Sequence, residues 1–452
     1  MTQNRHLKEE IEHPATEKAE TIELIQPEVK TSALDKILVR SGNQLNGEIK
    51  ISGAKNAVLK HMCAALLTEE TITFTNVPVG LRDVRFLGQV LTHLGMTVAL
   101  SSDGKAILRA KDIKTHIAPY DLVRKMRASV LVMGPLLARH GEAHISLPGG
   151  CSIGGRPIDL HLTGLEAMGA DIEIEGGYIK AKAPNGLKGA EIDFPFVSVG
   201  ATDQLMMAAT LAKGETILRN AAREPEIVDQ GNALIKMGAN IEGLGTSEIR
   251  IQGVEKLHGA SHEVVADRIE TGTYLCGVGL TGGELRLKNT STDLMPALIA
   301  PLLRAGLDIE QDGKDIVARR DGDLVRGTDI MTEPHPGFPT DMQAQFMAMM
   351  CLCDGASMIT ETIFENRFMH VPELNRMGAN ISVQDNSAIV RGVKKLTGAE
   401  VMATDLRASV ALVLAGLVAE GETTVNRIYH LERGYENIVD KLSGVGADIQ
   451  KI

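Results

Sequence analysis

One arrangement of apolar and polar positions recurs six times along this chain. Each copy reads leucine, two variable residues, an apolar residue, glycine, two variable residues, and isoleucine or valine. The copies run from Leu91 to Val98, Leu165 to Ile172, Leu234 to Ile241, Leu302 to Ile309, Leu374 to Ile381 and Leu442 to Ile449. A fixed period of about 70 residues indicates that one supersecondary unit is repeated along the chain.

The pattern inside a copy predicts both helices and strands. An apolar stretch such as Ala208 to Ala212, which ends near a glycine, predicts a helix. A β-prone run such as Thr216 to Leu218 or His144 to Leu147 follows the helix. A second helix then ends at the repeated glycine, where a left-handed C-cap costs little, and a strand resumes at Ile172, Ile241 or Ile449. Such alternation predicts an α/β protein, because neither element can bury its apolar side alone.

Length and composition refine this picture. At 452 residues, with 44% hydrophobic and 23% charged residues, the chain fits two domains of three repeats each. We expect no membrane span, because no apolar run reaches about 18 residues. Residues 1–35 are mostly polar and lack the pattern of a signal peptide, so we expect a disordered tail on a cytoplasmic protein.

Charge and aromatic content narrow the partners. The net charge of -11, the absence of Trp and the 3% aromatic content argue against a nucleic-acid surface. An anionic small substrate remains compatible if cations are concentrated locally.

Equivalent positions in the copies predict such a concentration. Counting fourteen residues back from the residue that ends the first helix predicts a set of helix N-termini, where free N–H groups favour anions. The set is Lys55, Arg127, Gly200, Ile269, Asp341 and Arg407. Loops after the first strand add Arg82, Arg156, Arg223, Arg367 and Arg433, whose planar guanidinium groups suit phosphate and carboxylate. Taken singly, each of these charges could equally be a solvated surface group.

Cys151 differs from the other cysteines by its surroundings. It lies among glycines in a lengthened loop, from Leu147 to Leu160, close to Arg156, so we expect an accessible thiol with a lowered pKa. Cys63, Cys276, Cys351 and Cys353 lie in apolar helices and are interpreted as buried, reduced thiols.

No metal motif stands out. His140 and His144 flank a predicted helix break, and Cys351 and Cys353 have the wrong spacing for zinc. The methionines between Met342 and Met350 are interpreted as core. We therefore assign neither a metal nor a cofactor.

Eight ordered motifs resemble the UDP-N-acetylglucosamine 1-carboxyvinyltransferase family of the EPSP synthase superfamily. They are SGAKNA (52–57), LPGGC (147–151), GRPIDLH (155–161), VSVGAT (197–202), AREPEI (222–227), FPTDMQAQ (338–345), FENRFMH (364–370) and ATDLRAS (403–409). The likeness runs from about Ile37 to the C-terminus.

The resemblance implies a fold and a reaction. The fold is a two-domain inside-out α/β barrel of six βαβαββ-type repeats, with residues 55–265 in one domain, residues 36–54 and 266–452 in the other, and the active site in the cleft between them. The reaction transfers the enolpyruvyl group of phosphoenolpyruvate to the 3′-hydroxyl of UDP-N-acetylglucosamine and releases phosphate. It is the first committed step of peptidoglycan synthesis and the target of fosfomycin. We expect a monomer with these two small-molecule substrates and no cofactor.

The resemblance also implies roles for individual residues. Cys151 is the general acid, forms a phospholactoyl adduct and reacts with fosfomycin; Asp341 accepts the sugar hydroxyl proton; and Asp405 helps to move the methyl proton. The phosphoenolpyruvate clamp is Lys55, Asn56, Arg127, Arg156, Arg367, Arg407 and Arg433, of which Lys55 and Arg433 also count as catalytic. The nucleotide-sugar site is Arg156, Pro157, Ile158, Asp159, Leu160, Val197, Ser198, Val199, Gly200, Asp341 and Ile363.

One departure and three alternatives bear on these expectations. Phe196 stands where many members carry a lysine that meets the diphosphate, so either another cation compensates or the nucleotide sugar binds more weakly. The nearest alternative is the sister transferase that acts on shikimate 3-phosphate, which the loop with Cys151 disfavours. A non-catalytic nucleotide-sugar sensor would not need the proton donor, and the related RNA 3′-phosphate cyclase fold would need an RNA surface.

Overall fold

A computed structural model describes residues 35–123, 126–147, 158–322 and 324–452. Within these ranges the strands form six sheets of four strands each. The strands β1 to β24 are Ile37–Arg40, Leu45–Lys50, Thr71–Thr75, Thr97–Ser101, Lys105–Arg109, Ile117–Ala118, Glu142–Ser146, Asp171–Glu175, Tyr178–Lys182, Glu191–Asp193, Glu215–Arg219, Asn240–Glu242, Glu248–Gln252, Ala260–Glu263, Gly283–Lys288, Asp308–Asp312, Asp315–Arg320, Ile330–Met331, Ala356–Thr360, Asn380–Gln384, Ser387–Arg391, Glu400–Met402, Glu422–Asn426 and Asp448–Lys451.

Helices connect these strands within the described ranges. The α-helices, α1 to α13, are Lys55–Ala64, Arg82–Leu94, Tyr120–Val123, Met133–His140, Asp159–Ala167, Val199–Ala209, Pro225–Lys236, Arg268–Thr281, Pro296–Ala305, Gln343–Met350, Val371–Arg376, Leu406–Gly416 and Ile438–Ser443. The 3-10 helices are Ala65–Leu67, Arg127–Val132, Thr292–Leu294, Thr340–Met342 and Ile428–Arg433.

All six sheets share one topology. An edge strand runs parallel to its neighbour, the neighbour pairs antiparallel with a third strand, and the third strand pairs antiparallel with the last. The orders are β14-β3-β5-β4, β6-β7-β9-β8, β10-β11-β13-β12, β2-β15-β17-β16, β18-β19-β21-β20 and β22-β23-β1-β24. The N-terminal strands β1 and β2 thus complete sheets of the C-terminal half, so the repeat closes on itself through the start of the chain.

The apolar residues form two separate cores. One cluster draws its members from Ala54 to Val264, and the other from Ile37 to Ile51 and from Ile269 to Ile449. The chain passes between them twice, where Gly53 and Ala266 form an antiparallel bridge. Every residue of α10 is buried, whereas strands such as β23 bury alternate residues. Helices therefore lie inside and sheets outside, which confirms the predicted inside-out α/β architecture.

The repeated glycines end the second helices as predicted. Gly95, Gly169, Gly238, Gly306, Gly378 and Gly446 all have positive φ, from 90° to 107°. Around Gly169 and Gly306 nothing lies within 4 Å of where a Cβ would be. Backbone conformation rather than lack of space therefore selects glycine there.

The predicted helix starts are confirmed as well. Lys55, Arg127, Gly200, Ile269, Asp341 and Arg407 each occupy the first or second position of a helix. The loop assignment of two arginines was wrong: Arg82 begins α2, and Arg433 ends a 3-10 helix. Arg223, in contrast, precedes α7, so the arginines that follow the first strand of each copy do not share one local structure.

Other expectations have mixed outcomes. Cys63, Cys276, Cys351 and Cys353 are buried free thiols, and Met342, Met347, Met349 and Met350 lie in the core, as predicted. Residues 1–34 and Cys151 lie outside the described residues. Across the described ranges, every helix is too short or too polar to cross a bilayer.

Candidate active site

A buried carboxylate, Asp83, joins cations from both halves of the molecule. Lys55 begins α1, and its Nζ lies 2.8 Å from Asp83 Oδ2. Arg433 donates from Nε to Asp83 Oδ1 at 2.9 Å and from Nη2 to Oδ2 at 3.4 Å. Asp83, in the first turn of α2, is 3% exposed. We call these three residues the Asp83 cluster; Asp83 and Arg433 are 350 positions apart in sequence.

The pKa values of Asp83 and Lys55 reflect the positive charges gathered around them. Burial alone would raise the pKa of Asp83, but Lys55 and Arg433 outweigh it and lower that pKa. Burial lowers the pKa of Lys55, against the pull of Asp83, and Arg433 and Arg407 lower it further. A bound anion would relieve this crowding of cations.

A second carboxylate, Asp341, holds two arginines. Arg367 Nη2 donates to Asp341 Oδ1 at 2.9 Å, and Arg407 Nη2 donates to Oδ2 at 2.7 Å. Both arginine side chains are 4% exposed, whereas that of Asp341 is 28% exposed. Each guanidinium also lies against an aromatic ring, Arg367 on Phe364 at 5.4 Å and Arg407 on Tyr435 at 5.5 Å. We call Arg367, Asp341 and Arg407 the Asp341 cluster.

The Asp341 cluster has a fixed protonation state. Burial opposes ionisation of Asp341, but Arg407 and then Arg367 overcome it and hold its pKa far below the usual range. Burial likewise opposes the charge on Arg407, and Asp341 raises the pKa of Arg407 in return. Because Arg407 also acts on the pKa of Lys55, the two clusters lie within electrostatic range of each other.

Asp405 and Asn56 have local roles at helix starts. Asp405 is the N-cap of α12, where Oδ1 accepts from the N–H groups of Arg407 at 2.7 Å and Ala408 at 3.1 Å. This cap fixes the backbone from which Arg407 reaches Asp341. Asn56 is the second residue of α1, next to Lys55, and its backbone oxygen accepts from Lys60.

The segments predicted for the nucleotide sugar meet around His161. Nδ1 of His161 is hydrogen-bonded to the side-chain oxygen of Gln204. A Cβ on Gly200 would lie 3.1 Å from the His161 ring, so the start of α6 packs directly on α5. Burial lowers the pKa of His161 to about 4, and Arg127 contributes to that shift. Arg127, His161 and Gly200 therefore belong to one neighbourhood.

The remaining predicted binding residues differ in their solvent exposure and in their local hydrogen bonds. Ile158 is buried and Asp159, the first residue of α5, is exposed, with Leu160 intermediate. Ser198 caps α6 by accepting from the N–H of Ala201 at 3.3 Å, and Val197, Val199 and Gly200 flank it. Ile363 donates its N–H to Glu361 at 2.9 Å. Cys151, Arg156 and Pro157 lie outside the described residues.

Sequence reasoning missed three participants. Asp83 follows Arg82 at a helix start, yet nothing local shows that it faces Lys55 and Arg433. Tyr435 lies two residues after Arg433 and is hydrogen-bonded through its hydroxyl to Thr273 at 2.8 Å. Arg268 of α8 donates to Glu226 of α7 at 3.0 Å, a buried ion pair between the two halves. Each of these contacts is long-range, so only the folded chain reveals it.

Comparisons with known proteins identify the family of this chain. The chain is 59% identical over 420 residues to a UDP-N-acetylglucosamine 1-carboxyvinyltransferase of Acidiphilium cryptum, covering 93% of this chain and 100% of that protein. It is 58% identical over 421 residues to the protein of that name from Granulibacter bethesdensis, with the same coverage. The profile of the EPSP synthase (3-phosphoshikimate 1-carboxyvinyltransferase) family matches residues 39–442.

The chain belongs to the UDP-N-acetylglucosamine 1-carboxyvinyltransferases, within the EPSP synthase family. It is a transferase. The enolpyruvyl transferase NikO from Streptomyces tendae has the same fold, with a TM-score of 0.84 at 24% identity over 92% of this chain and 99% of that one. EPSP synthase from Acinetobacter baumannii gives a TM-score of 0.71 at 18% identity over 92% and 100%. The architecture is thus the two-domain inside-out α/β barrel of the enolpyruvyl transferases.

Proposed function

We propose that this protein transfers the enolpyruvyl group of phosphoenolpyruvate to the 3′-hydroxyl of UDP-N-acetylglucosamine and releases phosphate. The observation that carries this is the pair of neighbouring clusters, in which two carboxylates hold Lys55, Arg433, Arg367 and Arg407. Phosphoenolpyruvate presents a phosphate and a carboxylate a few bonds apart. Four cations in two adjacent groups suit that pair of anions.

The reaction divides into addition and elimination. In addition, the sugar oxygen bonds to C2 of phosphoenolpyruvate, its proton leaves to Asp341, and the methylene carbon takes a proton from Cys151. In elimination, the bond from C2 to the phosphate oxygen breaks, and the new methyl group loses a proton with the help of Asp405. Phosphate leaves with the electron pair of that bond, so no oxidant or reductant is required.

The charges around Asp341 couple proton transfer to substrate binding. A carboxylate held by Arg367 and Arg407 is a weak base, because both cations favour its ionised form. When the anionic groups of phosphoenolpyruvate draw those arginines toward themselves, the pKa of Asp341 rises and it becomes a better proton acceptor. Asp341 then accepts a proton efficiently only when phosphoenolpyruvate is bound.

The arrangement of the two cores supports the placement of this site. We propose residues 55–265 as one domain and residues 36–54 with 266–452 as the other, with the substrates between them. Arg433 reaches Asp83 across that boundary, and Glu436 Oε1 accepts from the N–H of Gly80 at 2.6 Å. Arg127, Ile158 to Leu160, Val197 to Gly200 and Ile363 would bind the nucleotide sugar, together with Arg156 and Pro157.

A phosphate-release assay tests the proposal. Phosphate should appear only when phosphoenolpyruvate and UDP-N-acetylglucosamine are both present, and fosfomycin should stop it. Shikimate 3-phosphate in place of the nucleotide sugar should give none. Release with shikimate 3-phosphate, or its absence with both proposed substrates, would contradict the assignment.

Variants of Cys151 separate its role from the fold. Cys151→Ala should abolish turnover and fosfomycin labelling while the far-UV circular dichroism spectrum is unchanged. Cys151→Asp should keep some turnover, because a carboxylic acid can still donate a proton, but should lose labelling. Unchanged phosphate release in Cys151→Ala would rule out the general-acid role.

A further inference from the structure

A polar cluster lies inside the N-terminal half, outside the proposed active site. It consists of His61 on α1, Asp229 on α7 and His262 on β14. His61 is 0% exposed and His262 is 7% exposed, and the Asp229 side chain is 11% exposed. We call this the His–Asp–His cluster. Its residues lie on three elements that are far apart in sequence, so no local motif predicts the cluster.

The possible ligand atoms of the three side chains lie close together. Asp229 Oδ1 lies 2.8 Å from His262 Nε2, and Asp229 Oδ2 lies 3.2 Å from His61 Nε2. One nitrogen from each ring and one carboxylate oxygen all lie within 4.8 Å of one another. An ion bonded to each ligand at about 2 Å would require separations of about 3 Å, and each imidazole lies about that far from a different oxygen of Asp229.

Three ring nitrogens of the cluster have no hydrogen-bond partner. Although His61 Nε2 is near Asp229, neither ring nitrogen of His61 makes a hydrogen bond of acceptable geometry, and His262 Nδ1 also lacks one. A fully buried imidazole without partners is costly. A lone pair directed at a metal ion would satisfy the buried nitrogen where a hydrogen bond does not.

We propose that the His–Asp–His cluster binds one divalent transition-metal ion of the zinc class. Two imidazoles and one carboxylate form a ligand set suited to Zn²⁺ and its neighbours rather than to Mg²⁺ or Ca²⁺. Asp229 supplies a negative charge, which the ion would offset. The site is structural, since none of its three residues belongs to the Asp83 or Asp341 cluster.

Neighbouring residues fix the orientation of Asp229 and His61. Asp229 Oδ2 also accepts from the N–H of Val265 at 3.1 Å, which orients the carboxylate, and the His61 ring packs on Phe74 at 5.2 Å. The carbonyl of Val265 accepts from the N–H of Ala54 at 2.7 Å, at the point where the chain crosses between the halves. An ion here would fasten the helix that begins with Lys55 to the crossover.

Cobalt is the probe of choice, because its absorption reports the ligands. The full-length protein is treated with a chelator, dialysed and titrated with Co²⁺ alone. We expect one equivalent to bind with d–d bands and without a sulfur-to-cobalt charge-transfer band, which excludes binding through Cys151. Bound Co²⁺ or Zn²⁺ should also raise the melting temperature by a few degrees, because it binds only the folded state.

Variants assign the binding to the cluster. His262→Gln and Asp229→Asn should each weaken Co²⁺ binding at least tenfold, whereas His144→Gln, which alters a histidine beside Glu142, should leave it unchanged. Phosphate release without added metal checks that the variants fold. Equal Co²⁺ binding by wild type and the cluster variants would overturn the proposal. So would wild-type protein that binds none, since Asp229 would then serve only to accept the hydrogen bond of His262 and to lie beside His61.

Discussion

Two aspartates show how the same side chain is set to opposite states in different parts of this protein. Asp341 lies at the start of a 3-10 helix and contacts two guanidinium groups, at 2.9 and 2.7 Å. Asp203 lies within α6 in the N-terminal core, where the Lys60 ammonium is 3.3 Å away and also donates to the backbone of Asn56. The first has two close cations; the second has one that is shared.

The difference in cations decides the pKa. Burial acts on both carboxyl groups, yet Arg407 and Arg367 drive the pKa of Asp341 down. For Asp203, burial outweighs Lys60, nearby Glu224 and Glu226 add to the effect, and the pKa rises to about 7. Burial therefore does not by itself set the charge of a carboxylate; the number and geometry of its cations do. The Asp341 cluster keeps a permanent carboxylate charge, whereas the carboxyl group of Asp203 in the core titrates near neutrality.

The largest effect should come from removing the charge of Asp341. Asp341→Asn removes the proposed proton acceptor and leaves two buried arginines without a counter-ion, so kcat for phosphate release should fall on the order of a thousandfold. Asp341→Glu should retain more activity than Asp341→Asn, and Asp171→Asn, on the exposed strand β8, should match wild type. Fosfomycin labelling checks the fold, and a kcat within tenfold of wild type would refute the role.

Asp203 should make stability depend on pH. Its folded pKa of about 7 lies above the ordinary value of 3.8, so its contribution to stability is complete below about pH 4 and is lost as the pH rises through 7. Asp203→Asn should remove that loss. At pH 8 the free energy of unfolding of this variant should exceed that of wild type by up to a few kcal/mol, whereas near pH 4 the two should be similar. Urea unfolding at several pH values measures this.

The opposite result for Asp203 would be as informative. If Asp203→Asn were less stable than wild type at pH 8, the Lys60 pair would be a net stabilising ion pair, and the contrast with Asp341 would fail. Asp171→Asn supplies the matched control, since that side chain is exposed.

Arg433 should have a smaller effect, on substrate binding. Its side chain is 37% exposed and joins Asp83 from the other half of the molecule, so Arg433→Ala should raise KM for phosphoenolpyruvate about 10- to 100-fold. The melting temperature should change little, because Lys55 still neutralises the buried carboxylate of Asp83. Arg304→Ala, at an exposed helix end, is the control. A large loss of stability with unchanged KM would make the Asp83 cluster structural instead.

The sequence predicts the scaffold better than it predicts these contacts. The glycine period and the helix-start position are local features, and the six positive-φ glycines and six helix starts follow from them. The partners of those residues are not local: Asp83 meets Arg433, and Asp229 meets His61, only after the halves fold. Arg82 shows the same limit at short range, because it begins a helix whereas Arg223, also placed after the first strand of its copy, precedes one.

The smallest effect concerns Phe196, which precedes the helix that carries Asp203. Its side chain is 57% exposed, so Phe196→Lys adds a cation where it is solvated and screened. If the diphosphate of the nucleotide sugar lies nearby, KM for UDP-N-acetylglucosamine should fall about two- to fivefold with kcat unchanged, equivalent to at most about 1 kcal/mol. Phe196→Gln, which loses the ring without gaining charge, separates the two effects, and added salt should erase the gain in Phe196→Lys alone. A KM that fails to fall would mean that other cations, such as Arg127, already neutralise the diphosphate.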